Sequence, residues 1–215
     1  MSESQSASAT TVGNYFVSNY PPYSCWSEDQ TPVALDRLAR PGRGPGPGLG
    51  LYIHLPFCRK RCDFCYFKVY TDKNSQDIKR YLDAVIREAQ LLADMPYLAG
   101  RRPRLVYFGG GTPSYLSGAQ LEHLFEGLRA AFSWSEVEEI TFECEPGTLQ
   151  GSKIDTLHAL GVTRLSLGIE NFSSEILEIN NRAHRAREIH VAYEASRAAG
   201  FDQINLDLIA GMIGE

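Results

Sequence analysis

Three cysteines fall within one short stretch, Cys58-Arg-Lys-Arg-Cys62-Asp-Phe-Cys65. Thiolates that close in sequence can converge on a metal centre. A cubane iron–sulfur cluster has four irons, so three protein thiolates leave one iron free to bind and activate a small molecule. A ferredoxin instead supplies a cysteine to every iron and only transfers electrons. The same residues also allow a zinc site completed by His54, Asp63 or Cys144, because zinc accepts three cysteines and a histidine. Disulfide pairing fits poorly. Five cysteines form an odd, sparse set, and Met1–Thr11 is Ser-rich and polar with no apolar core of a secretion signal.

The 215 residues suffice for one sizeable core, and 43% hydrophobic with 22% charged residues is the composition of a soluble globular protein. No apolar run is long enough to span a bilayer. A formal net charge of −5 speaks against general nucleic-acid binding, which needs a basic face. The expectation is a cytoplasmic protein with neither a membrane nor a nucleic-acid partner, in a compartment where thiols stay reduced.

Residues 1–50 read as an N-terminal arm and linker. Asn14–Tyr23 is aromatic enough to pack on the rest of the chain, Cys25 has no neighbouring thiol, and Pro41–Gly50 is a Pro/Gly run that favours neither helix nor strand. Residues 51–215 alternate. Strand-like runs at Leu51–Pro56, Arg104–Gly109, Glu139–Glu145, Arg164–Glu170 and Gln203–Ala210 are separated by helical periodicity. Ile78, Leu82, Val85, Ala89 and Leu92 share one helical face. Leu121, Leu124, Phe125, Leu128 and Phe132 share another, opened by the capping-box pattern Ser117-Gly-Ala-Gln120. Further helices are expected over Ser152–Leu160 and Arg187–Ala199, each stopped by a glycine, Gly161 and Gly200. Such alternation predicts an α/β fold, a parallel sheet with helices outside.

Within the strands, Ile53, Leu55, Ile140, Phe142, Leu165, Leu167, Ile169, Ile204, Leu206 and Leu208 suit packing under helices. The opposite faces carry Tyr52 and His54, Thr141, Glu143 and Glu145, Ser166, Gly168 and Glu170, Asn205 and Asp207. A closed βα barrel fills its centre with branched aliphatics. Acidic and small residues there predict an open barrel holding a polar ligand, because buried carboxylates are costly unless partnered. The triplet Gly109-Gly-Gly111 before Thr112 would let a ligand approach backbone without a Cβ in the way. Taken alone, the triplet reads first as a plain strand-to-helix turn, and it gains meaning only from sharing a barrel rim with the cysteine loop.

Together these motifs resemble the radical S-adenosylmethionine (SAM) superfamily, in the branch of oxygen-independent coproporphyrinogen III oxidase with its haem-chaperone and methyltransferase relatives. The segments that carry the resemblance are Tyr52-Ile-His-Leu-Pro-Phe-Cys58 with Cys62 and Cys65, Tyr107-Phe-Gly-Gly-Gly-Thr-Pro-Ser114, Phe142-Glu143, Arg164-Leu-Ser-Leu-Gly-Ile-Glu170, Asn181-Arg182 and Asn205-Leu-Asp-Leu-Ile209. The resemblance implies a partial six-stranded βα barrel and a [4Fe–4S] cluster on Cys58, Cys62 and Cys65. SAM would chelate the fourth iron, and one electron would split it to methionine and a radical that takes a hydrogen atom from the substrate.

By the same resemblance Tyr52, Gly110 and Glu143 would hold that SAM. Phe64, Gly111, Thr112, Glu170, Arg182 and Asp207 would be the contacts of a second. The implied function is oxidative decarboxylation in porphyrin biosynthesis, with a haem chaperone or a radical methyltransferase or cyclopropane-forming enzyme as alternatives. The basic run Arg59-Lys-Arg61 would suit an acidic electron donor such as flavodoxin, or is simply a solvated loop. The sequence departs from the oxidase pattern at Phe67, where the oxidase has a further cysteine, and at Glu170, where glutamine is usual. Only five βα strands can be counted, so the chain reads as an N-terminal fragment of a longer protein.

Overall fold

The structure is a computed structural model and describes residues 27–42 and 48–215. The aromatic stretch Asn14–Tyr23 and Cys25 lie outside the described residues. Five strands, β1 (Leu49–Leu55), β2 (Pro103–Gly110), β3 (Glu139–Cys144), β4 (Arg164–Glu170) and β5 (Gln203–Leu208), form one sheet in sequence order, every neighbouring pair parallel. Between them run α2 (Ser75–Ala93), α3 (Gly118–Ala131), α4 (Gly151–Ala159), the short α5 (Ser174–Ile179) and α6 (Ala186–Ala198). The expected alternation is present, and the helices expected over Ser152–Leu160 and Arg187–Ala199 each appear shifted by a single residue.

Local chemistry explains the starts and stops. Ser117 Oγ accepts from Gln120 N while Ser117 N donates to Gln120 Oε1, the reciprocal cap expected for α3. Asn74 and Asp77 cap α2 in the same way. The chain leaves α4 through Gly161 (φ 79°) and α6 through Gly200 (φ 96°), both in the left-handed region that glycine tolerates. Phe108, Phe125 and Phe142 meet in the core between β2, β3 and α3, with Phe108 stacked on Phe125 at 4.7 Å. Ile53, Leu55, Ile140, Leu165, Leu167 and Ile169 join them under the helices.

Two expectations need correction, and one helix was not anticipated. Leu49 and Gly50, assigned to the linker, are the first residues of β1, pairing with Pro103 and Leu105 of β2. A helix, α1 (Thr31–Leu38), occupies part of the arm, started by Pro32 in its first turn, where the missing N–H costs nothing. It docks through Arg37, whose guanidinium lies 4.6 Å from the Tyr97 ring centre. On β5, Leu206 and Leu208 are exposed rather than packed.

Candidate functional site

The strand ends and the cysteine loop meet in one cavity of about 410 Å³. The loop is pinched shut at its base: Phe57 bridges Tyr70, Cys58 N donates to Tyr70 O (3.0 Å) and Tyr70 N to Pro56 O (2.8 Å). It is also tied at its far side. Asp63 N donates to Asn180 O (3.1 Å), Asn181 Nδ2 to Arg61 O (3.0 Å) and Arg59 to Ala183 O (3.0 Å). The loop is therefore clamped between the end of β1 and the segment joining α5 to α6, which turns through Asn181 in the left-handed region (φ 61°).

Cys58, Cys62 and Cys65 all line the cavity, the first two buried. Burial pushes the Cys58 and Cys62 thiols up, while a hydrogen bond from Thr112 Oγ1 (3.3 Å) favours the Cys58 thiolate and Arg182 (3.4 Å) favours that of Cys62. Among the described residues no three His, Cys, Asp or Glu side chains form a group that could hold a single metal ion. Three thiols facing one cavity are the donor set of an iron–sulfur cubane that keeps one iron open to a ligand. His54 and Asp63, weighed as a fourth zinc ligand, do not line the cavity, and Cys144 does.

Above the cysteines, β2 ends in Gly109 and Gly110, and Gly111 follows it. Gly111 N donates to Leu55 O (2.9 Å) and Thr112 N to Phe57 O (2.8 Å), laying the glycine run against the root of the cysteine loop. Gly110 needs φ 115° and packs against the His54 ring. Glu143, at the neighbouring end of β3, accepts from Tyr107 OH at 2.7 Å and from Gly110 N at 3.1 Å. Burial raises its pKa and Asp207 adds to the rise, opposed by those two hydrogen bonds. Asp207 accepts from Ser166 Oγ (2.8 Å) and Asn205 Nδ2 (2.8 Å).

Phe64, Gly110, Gly111, Thr112, Glu143, Glu170, Arg182 and Asp207 thus line the same cavity as the cysteines. Tyr52 alone of the expected residues does not. It stands at the margin, 58% exposed, its hydroxyl 3.1 Å from His54 Nδ1 and its ring stacked on Tyr107 at 5.9 Å. Burial and the Glu143 charge push its hydroxyl up to about 12.

One cluster escaped the sequence reading as a unit. Glu145, expected only as an inner-face carboxylate, accepts from fully buried His184 Nδ1 at 3.0 Å and pairs with Arg59 at 3.5 Å. Burial would raise the Glu145 pKa, but the His184 hydrogen bond and the Arg59 charge outweigh it and hold the carboxyl below its usual range. His184 Nε2 faces Ile169 O at 3.3 Å. The pair joins β3, β4, the cysteine loop and the segment before α6. Nothing in the sequence marks His184 as the partner of Glu145, because the two lie 39 residues apart.

Residues 52–215 match the model of the radical SAM superfamily. The chain belongs to that superfamily. Its cofactors are accordingly a [4Fe–4S] cluster and SAM. Oxygen-independent coproporphyrinogen III oxidase of Escherichia coli is 34% identical over 194 residues, 90% of this chain and 42% of the relative. Heme chaperone HemW of Escherichia coli is also 34% identical, over 166 residues, 77% of this chain and 43% of the relative. The solved coproporphyrinogen III oxidase of Escherichia coli, a radical SAM enzyme, superposes with a TM-score of 0.76 at 34% identity, covering 89% of this chain and 43% of that one. The chain therefore spans less than half the length of these relatives. No helix among the described residues is long and apolar enough to cross a membrane.

Proposed function

We propose that this chain is the cofactor-binding core of a radical SAM protein of the coproporphyrinogen III oxidase branch, acting in oxidative decarboxylation of a porphyrinogen. The observation that carries the reading is convergence: three thiols of one clamped loop, a glycine run without Cβ atoms, and the half-buried carboxylate of Glu143 share one cavity at the C-terminal ends of parallel strands. Cys58, Cys62 and Cys65 would hold the cluster. Bound there, the cluster and SAM supply reductive cleavage of a sulfonium and a hydrogen-abstracting radical.

The chain's own residues bind, orient and shield. Glu143 accepts hydrogen bonds only, when ionised, and suits the amine or hydroxyls of SAM. The Gly110 backbone gives the ligand close approach, and Tyr52 would close the margin over it. Phe64, Gly111, Thr112, Glu170, Arg182 and Asp207 form the adjoining wall, where a second SAM would make its contacts. Lys60 and Arg61 are exposed on the loop beside the cysteines, a basic face suited to flavodoxin or another acidic electron donor.

A second reading, haem chaperone, is favoured by the equal identity to the HemW relative and by Phe67, where the oxidase has a cysteine. The reconstituted full-length protein with dithionite separates the two. Formation of 5′-deoxyadenosine with release of carbon dioxide from coproporphyrinogen supports the oxidase. Tight haem binding with no such product supports the chaperone, and a methylated product supports a methyltransferase.

A further inference from the structure

Arg182 lies in the segment between α5 and α6, yet its side chain ends at the cysteine loop. The side chain is only 13% exposed; one terminal nitrogen donates to Cys62 Sγ at 3.4 Å. The other donates to Gly168 O and lies 3.3 Å from Glu170 Oε1. Glu170 is itself held at φ 63°, a conformation uncommon outside glycine, where the β4–β5 register shifts. The unusual backbone brings this carboxylate to the arginine.

As a brace the arrangement is poor. Arg182 Nε is buried with no hydrogen-bond partner, and a buried ion pair rarely repays its desolvation. As an electrostatic device it is well placed. Arginine keeps its charge at any working pH, a buried charge acts through a low dielectric, and hydrogen bonds to ligand sulfurs together with local charge set the potential of an iron–sulfur cluster.

We propose that Arg182 and Glu170 are an opposed pair that sets the electron affinity of the cluster held by Cys62. Arg182 favours the added electron through its N–H···S bond and its charge, and Glu170 holds that effect back. This rests on Cys58, Cys62 and Cys65 being the ligands, and it assigns to Arg182 a role at the cluster in addition to any ligand contact. Both residues act through Cys62 rather than on a reacting atom, so they are positioning and tuning residues.

The test is a one-electron potentiometric titration of the reconstituted full-length protein, without SAM, followed by the paramagnetic resonance signal of the reduced cluster. Arg182→Gln is expected to make reduction about tenfold harder, a fall of about 59 mV, and Glu170→Gln to make it easier by a similar factor. Arg182→Lys, which keeps the charge and loses the planar fork, should fall between wild type and Arg182→Gln. Opposite shifts at normal iron and sulfide content support the pair. A merely structural brace would lower melting temperature or cluster content in both variants without moving the potentials apart, and that result overturns the proposal. Should Arg182→Gln fail to fold, Glu170→Gln and Arg182→Lys decide: an unchanged potential in both overturns it. A wild-type protein that took up no iron and sulfide would remove the ligand reading, and this proposal with it.

Discussion

Replacing Gly111 by alanine tests whether the glycine run and the cysteine loop are truly in contact. A Cβ at Gly111 would stand 2.9 Å from Phe57 O, 3.0 Å from Leu55 O and 3.0 Å from Cys58 Sγ. Two of those neighbours are backbone carbonyls, each already accepting a hydrogen bond from this segment, and cannot rotate away. The third is an expected cluster ligand. Relief therefore requires β2 to separate from the root of the loop or Cys58 to move. Overpacking of this kind costs about 1–3 kcal/mol. For a domain of 150–250 residues, about 2 kcal/mol corresponds to a fall in melting temperature of roughly 4–8 °C. Gly151→Ala is the control, since nothing lies within 4 Å of its Cβ position and it opens α4, where alanine is favourable. The assay is thermal melting of the metal-free protein with iron and sulfide analysis after reconstitution. Gly111→Ala should melt lower and hold less cluster while Gly151→Ala matches wild type. Equal melting and full cluster content in both variants would refute the close approach.

Three further outcomes are expected. Cys58→Ala, Cys62→Ala and Cys65→Ala should each abolish the absorbance of the reconstituted cluster. Cys144→Ala should not, because burial pushes that thiol far up and its Sγ faces Phe142 O at 3.6 Å; retained cluster in any of the first three would remove that ligand. Glu143→Ala should weaken SAM binding by roughly 10- to 150-fold, the worth of a hydrogen bond to a charged group of about 1.5–3 kcal/mol, with cluster content kept. Unchanged affinity in a calorimetric titration would put Glu143 outside the SAM site. Glu145→Gln should destabilise the fold at neutral pH by about 2 kcal/mol. The folded carboxyl titrates below its unfolded value of about 4.3, so its stabilisation is full above that pH and is lost as pH falls through the folded value. The deficit in melting temperature should therefore shrink below about pH 4, and a pH-independent deficit would assign the effect to packing instead.

Much of the fold is local information, and local information is legible in a sequence. The helical stripe from Ile78 to Leu92, the Ser117–Gln120 cap and the glycines at 161 and 200 act through neighbours a few residues away, and the structure forms each of them where expected. The spacing of Cys58, Cys62 and Cys65 is local too. Helix α5 was not legible because six residues carry too little periodicity to read. Nor was the exposure of Leu206 and Leu208, since alternation gives the face a residue takes but not whether anything covers it.

By itself the sequence determined the βα alternation, the cysteine triad and the acidic inner face, because sterics and hydrophobic period act between near neighbours. Only the tertiary structure decided which of those groups touch. Arg182 meets Cys62 across 120 residues, His184 meets Glu145 across 39, and Arg59 reaches the same carboxylate across 86. Those meetings depend on strand register and on how two loops clamp together, a geometry that no window of neighbouring residues contains.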